Sequence, residues 1–512
     1  MSVTPKILGA DYELANAMTT RGASFNQSVY EASRRLLDEI PGYPKARTWG
    51  GTSIEWGRRF LAGNGGSVYI NSDHLEINLP EHRRAADHAL HVHAGFRIAQ
   101  RAKEAAEAKL EGTRINLMAT VSDTQRSWGA HLNVCVSRSL WSDMFERKQH
   151  LAGLFATHLV TAAMFTGQGQ VGAGNGRPEC DYQIAQRPDF FEEFVGWQTT
   201  HQRPILNLRD ESHAGKGLAR MHIIYFDNAL MPTANYLKAG TTQLVLAMLE
   251  AGFADPGILL EDPLSAASVV SRDLTFERTL RLVGRGRKAT AIEVQRRLSD
   301  LAAEFVASGE ADEAVPDAGA ILATWRETLD MLEQRDMAAL ARRVDWALKY
   351  VLLERQIARR GLSWQSADVR AMDLRYANLD PKEGLFLQLA AAGHVDGMPS
   401  NDAIDAAADE PPTDTRAYLR AHLIRLLGDE MSEMDWDRVR FRMGGAGWYR
   451  TAGNWIGMPD PARWGKDEAD AVLATCSTPE EFVAAIGEPT WPDKFSSGGW
   501  GRSEWSYSGM EV

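Results

Sequence analysis

Cysteine is nearly missing. Cys135, Cys180 and Cys476 are the only three in 512 residues, far apart and odd in number, which argues against a disulfide framework and suits a reducing compartment. No apolar run is long enough to span a bilayer. The opening MSVTPKILGADYEL has neither a charged start nor an apolar stretch of the secretory kind, so the expected location is cytoplasmic, without membrane contact. Clusters of basic residues are also absent, and 56 Lys and Arg against 68 Asp and Glu leave a net charge of -12. Nucleic acid is therefore not an expected partner, because phosphate neutralisation needs clustered Lys and Arg. A G-x-S-x-G anchor for serine hydrolysis is lacking too.

What remains is an ordinary folded composition, 44% hydrophobic and 24% charged, at a length that predicts two domains. Fifteen Trp are present. Trp448, Trp455, Trp464, Trp491, Trp500 and Trp505 crowd the C-terminal segment, where some are expected to cover a cleft. Strand patterns at 6–14, 67–80, 114–121, 131–136, 181–185, 203–208 and 220–225 mix with helical patterns at 80–110, 140–166 and 236–250, without a βαβ rhythm. The fold class expected is α+β, an antiparallel sheet flanked by helices. Residues 288–360 read as mostly helical. The acidic, small-residue stretches 307–320 and 399–415 read as solvent loops, a boundary falls near residue 430, and the tail after Lys494 reads as loose. The division is 1–428, a catalytic domain, and 429–512, a small Trp-rich domain.

Asp11 and Glu13 project from one face of a strand. Two like charges buried together need a metal or a Lys/Arg partner, unless the strand is a solvated edge. Glu76 and Glu81 could complete an oxygen-rich site suited to Mg²⁺. In Arg203–His213 a strand runs into a cluster of opposite charges, where Arg209 could clamp phosphate oxygens, with Arg220 and His222 on the next strand; a surface ion-pair network is the alternative.

Two motifs are declined. Gly167-Gln168-Gly169-Gln170-Val171-Gly172 matches G-x-G-x-x-G, but a helical pattern precedes it and a second glycine turn follows, so it reads as a loop. His82, His88, His91 and His93 lack a supporting Cys or H-E-x-x-H arrangement and read as helix-surface histidines.

Taken in order, several segments resemble the family of the Pup ligase and the Pup deamidase/depupylase, which is related to glutamine synthetase. They are Ile7-Leu8-Gly9-Ala10-Asp11-Tyr12-Glu13, the stretch from Gly65 through His74-Leu75-Glu76 to Pro80-Glu81, and Ser127-Trp128-Gly129-Ala130-His131-Leu132-Asn133. A long ordered set from Phe165 to Thr242 follows, including Tyr182-Gln183-Ile184-Ala185-Gln186-Arg187, Arg203 to His213 and Arg220-Met221-His222. The resemblance implies a curved glutamine-synthetase-like sheet that cradles ATP, with Mg²⁺ held by Asp11, Glu13, Glu76 and His222, and Arg209 and Arg220 facing the phosphates. It implies an ATP-dependent ligase that activates a carboxylate as an acyl phosphate for attack by an amine. The carboxylate would come from a Pup-like protein or a small amino-acid-like substrate. Amide hydrolysis of the depupylase kind is the alternative.

Three departures stand out. Asn71 occupies the place of the family's essential aspartate, so the catalytic positions are Asn71 and, two residues on and on the same face if the strand is regular, Asp73. Asp11 replaces the commoner Glu, and His131-Leu132-Asn133 lacks the family's middle Glu. A short connection between the acidic strand and the Asn71 strand favours the ligase branch; loss of the aspartate leaves a nucleotide-binding homologue without turnover as a further reading.

Overall fold

Alternation along the first strand sets the architecture. In β1 (Leu8–Thr20) the side chains of Ala10, Tyr12 and Leu14 are buried on one face, while Asp11 and Glu13 point to the other, because successive side chains leave a strand on opposite sides. This is a computed structural model describing residues 3–20, 29–43, 55–443 and 451–486. β1 lies mid-sheet, bonded to β4 (His74–Asn78) on one side and β6 (Ala130–Ser137) on the other. From Ala15 onward it pairs with β5 (Thr113–Met118) instead. The main sheet has nine strands, in the order β2 (Glu55–Phe60), β3 (Ser67–Asn71), β4, β1, β6, β9 (Leu218–Ile223), β8 (Arg203–Asn207), β7 (Phe191–Gly196), with β5 off this path. Its pairings are antiparallel, as expected, except for a parallel β7–β8 pair at the edge.

Helices cover the apolar face. Tyr12 and Ile77 share a buried cluster with Leu36 and Leu37 of α1 (Val29–Asp38) and Val92 and Phe96 of α2 (Ala85–Lys109). Leu132, Val134 and Val136 share another with Phe155 and Leu159 of α3 (Gln149–Thr166) and Leu237 and Leu244 of α4 (Pro232–Glu250). Each such side chain contributes about 1.5–3 kcal/mol by burial. Among the described residues no helix is long and apolar enough to cross a membrane.

Several expectations change. The stretch 307–320 is not a solvent loop: Ala311, Ala314, Val315 and Ala318 are buried, and the amide of Lys6 donates to the Ala314 carbonyl. The stretch 399–415 contains the helix Asn401–Asp409, fastened to α2 by Arg97 and Arg101, which pair with Asp405 and Asp409. Composition misled in both places, because alanine fills tight helix contacts as readily as it fills loops. The histidines His82, His88, His91 and His93 are all buried: the last three lie on α2, which is packed against the sheet on one side and other helices on the other, and His82 bridges to Leu8 at the start of β1. Burial holds their pKa values down, to about 4 for His91 and His93. Gly167–Gly172 is indeed no dinucleotide loop: it leads into Gln170–Val171, which pairs with Tyr182–Gln183. The tail after Lys494 lies outside the described residues.

After α5 (Ala417–Leu427) a three-stranded antiparallel sheet follows, formed by β10 (Met431–Asp435), β11 (Arg438–Met443) and β12 (Thr451–Gly457). Its core includes Leu419 and Leu423 of α5 and Phe60 of β2, so it is packed onto the main sheet. Glu81 secures that junction. Its carboxylate accepts from Arg416 Nε (2.8 Å) and from both terminal nitrogens of Arg420. The two guanidiniums also donate to the carbonyls of Gly65, His213, Trp436 and Met458. Glu81 is thus committed to structure rather than to a cation.

Burial alone would raise the Glu81 pKa, but Arg420 and Arg416 outweigh it and hold the carboxyl down to about 2. A depressed folded value stabilises above the ordinary value, near 4.5, and is lost as pH falls from there towards about 2. Glu81→Gln leaves two buried guanidiniums without their counter-charge. It is expected to cost about 3–5 kcal/mol in urea unfolding at pH 7, with the gap from wild type narrowing below pH 4.5; equal stability at pH 7 would contradict this account.

Candidate active site

The polar face of the sheet lines a cavity of about 1140 Å³. Registers across five strands assemble its floor. Asp11 lies opposite His131 of β6, and Asn133 lies opposite His222 of β9. On the other side Glu13 lies opposite Glu76 of β4, and Tyr69 of β3 lies opposite Glu76. The alternating pattern of β6, with Ala130, Leu132, Val134 and Val136 buried in the core, turns His131 and Asn133 into the cavity. The missing middle Glu of this segment is explained by position: Leu132 points the other way.

Two adjoining groups result. In the first, ligand atoms of Asp11, His131 and His222 all lie within 4.8 Å of one another. The imidazoles meet nearly at right angles, His222 Nε2 being 3.4 Å from His131 Nδ1, and Asn133 Nδ2 donates to Asp11 Oδ2 (3.0 Å). Burial, then nearby arginines, hold both rings well below the ordinary histidine value, so both are neutral and able to offer a lone pair. In the second group, Glu76 accepts from Tyr69 Oη (2.6 Å), Asn78 Nδ2 (2.8 Å) and Asn71 Nδ2 (2.8 Å). The Asn71 amide also reaches Glu13 Oε1 (3.4 Å). Burial, then the charges of Glu13 and Asp11, push Glu76 up to about 8. Burial raises Glu13 as well, although His74, the Gly129 amide, Arg187 and Arg203 oppose it.

The donor set fits a divalent cation. Carboxylate oxygens and neutral imidazoles converge, and His222 Nδ1 and Asn133 Oδ1 are buried without hydrogen bonds. Gly129 lies between the groups: a Cβ there would stand 2.8 Å from both Glu13 Oε1 and His131 Nε2, filling the space between the two side chains.

Arg220 lines the same cavity and donates to Glu211 (2.6 Å). Arg209 sits exposed at its edge. Asp73 differs from expectation. The strand does not run on but turns at Ser72 and Asp73, Ser72 taking a positive φ of 54°, so Asp73 is an exposed rim residue off the Asn71 face. His74 lies opposite Asn71 instead, stacked on Trp128. The tryptophans that line the cavity are Trp128 and Trp436; of the C-terminal set, Trp455 and Trp464 stack on Arg438 and Arg463, and Trp448, Trp491, Trp500 and Trp505 lie outside the described residues.

Residues 8–440 match the family model described as Pup-ligase protein. The chain belongs to the Pup-ligase family. It is 35% identical to the depupylase of Acidothermus cellulolyticus, over 83% of this chain and 82% of that protein. It is 32% identical to the Pup–protein ligase of Acidimicrobium ferrooxidans, over 86% and 92%. Among solved structures it resembles the Pup ligase PafA in complex with Pup, at a TM-score of 0.78 and 25% identity over 95% and 93% of the two chains. It also resembles PafA in complex with ADP, at a TM-score of 0.72 and 26% identity over 83% and 90%. Both branches of the Pup-ligase family match at nearly the same identity, so likeness alone does not choose between them.

The raised Glu76 pKa gives a test of the packed carboxylates. A folded value above the ordinary one stabilises below about 4.5 and is lost as pH rises through about 8. In chelator-treated protein the melting temperature is expected to fall between pH 6 and 9, less so in Glu76→Gln and less so with Mg²⁺ added. The same slope in all three samples would contradict this reading.

Proposed function

We propose that the protein is an ATP-dependent ligase that joins a carboxylate to an amine, with Pup or a Pup-like protein as the carboxylate donor. The observation that carries this reading is the convergence of Asp11, Glu13, Glu76, His131 and His222 on one cavity face, with Arg209 and Arg220 on the same cavity. Asp11, Glu13, Glu76, His131 and His222 would hold Mg²⁺. Arg209 and Arg220 would neutralise the phosphates of ATP, as preorganised guanidiniums do where charge develops. When bound, Mg²⁺-ATP supplies the phosphoryl group that activates the carboxylate. The likeness to ligase complexes with Pup and with ADP supports this assignment of substrate and nucleotide.

Asn71 decides how the amine is handled. Its amide donates to Glu76 and Glu13, where a carboxylate would add a third negative charge to a buried pair. It cannot accept a proton, and Asp73 lies off its face, so Asn71 orients the carboxylates rather than acting as base. That observation favours a second reading, a nucleotide-binding homologue without turnover; amide hydrolysis, the activity in the name of the depupylase relative, is the third.

One assay separates them: ADP release and product mass, with ATP, Mg²⁺, Pup, and lysine-containing acceptors. The ligase reading expects ADP equal to amide product, abolished in Asp11→Asn/His222→Gln. Cleavage of a Pup conjugate without matching ADP would replace it with the hydrolase; ATP binding with neither product would leave the nucleotide-binding reading.

A further inference from the structure

A second cluster of ligand-type side chains stands apart from the Asp11 group. His213, in the loop between β8 and β9, meets Asp435 and Asp437, which flank Trp436 at the turn between β10 and β11. Ligand atoms of the three lie within 4.8 Å of one another. Asp437 is only 6% exposed, yet its Oδ1 has no hydrogen-bond partner. A buried carboxylate oxygen without a donor is costly, and here it belongs to a side chain that converges on an imidazole and a second carboxylate.

The cation already nearby does not fill this role. Arg438 approaches Asp435 at 3.6 Å and Asp437 at 3.9 Å, both beyond hydrogen-bond reach, and its guanidinium is held over the Trp455 ring at 4.6 Å. Its Nε is itself buried without a partner. Arg438 therefore lowers the net charge of the two carboxylates without occupying their lone pairs.

We propose that His213, Asp435 and Asp437 form a second divalent-cation site, suited to a transition ion of the Zn²⁺ class. One imidazole and two carboxylates make a three-ligand set with an open position. Three donors bonded to one ion at about 2.1 Å lie about 3.4–3.6 Å apart, so closure asks a contraction of up to about 1.4 Å at the widest pair. The site would fasten the C-terminal sheet to the loop that carries Arg209, at the edge of the cavity. It is independent of whether the protein turns over ATP.

The test is Zn²⁺ binding to the full chain by equilibrium dialysis with metal analysis, alongside Co²⁺ absorption in the visible. The background is Asp11→Asn/His222→Gln, which disables the first cluster. That chain is expected to keep one Zn²⁺ and a Co²⁺ d–d band. Adding Asp437→Asn or His213→Gln is expected to weaken Zn²⁺ more than about tenfold and remove the band. His213 is only partly buried, so His213→Gln keeps the test valid should Asp437→Asn fail to fold. No Zn²⁺ on the folded background chain, or equal uptake after His213→Gln, overturns the proposal.

Discussion

Packing like charges side by side on one sheet face is the constraint around which this structure is arranged. Asp11, Glu13 and Glu76 are brought together by register, since β1 sits between β4 and β6, and no rotation of a side chain can separate them. Glu76 is buried and Asp11 and Glu13 are half-buried, so their repulsion is screened less than in bulk water. The surroundings answer in kind. Tyr69, Asn71 and Asn78 aim donors at Glu76, Asn133 aims one at Asp11, and Arg187 and Arg203 stand near Glu13. What none of these groups places is a positive charge between Glu13 and His131, where Gly129 leaves space.

The periphery then serves to hold that face in register. Glu81, just beyond β4, is gripped by Arg416, which caps α5, and by Arg420 within it, and their remaining donors reach the loops around Gly65, His213, Trp436 and Met458. One buried ion pair thereby joins the hairpin carrying Asn71 and Glu76 to the C-terminal sheet. A buried pair of this kind adds little over a hydrophobic substitute but is costly to break, which suits a junction that must hold a single geometry.

Much of this was legible in the sequence, for identifiable reasons. Period-two alternation placed Asp11 and Glu13 on one face, and ordered motifs indicated the curved sheet and the family. The partner of Asp11 was less accessible. His131 appeared only as part of a motif, because nothing local says that β1 pairs with β6 so as to set these two residues opposite each other. Asp73 was misplaced since a two-residue turn needs a positive φ at Ser72, and serine is a weak signal for it. Glu81 was read as a cation ligand because its arginine partners lie more than 330 residues away in sequence. The histidines between His82 and His93 were read as helix-surface groups because four imidazoles look polar, whereas two-sided packing of a helix is a tertiary fact.

The most direct test of the cation-cradle account is calorimetric titration of ATP, with and without Mg²⁺, into wild type and Gly129→Ala. The account predicts Mg²⁺-dependent ATP binding in wild type, weakened more than about tenfold in Gly129→Ala, since the atoms nearest the added methyl belong to the Glu13 and His131 side chains. ATP affinity that ignores both Mg²⁺ and the methyl group would contradict it.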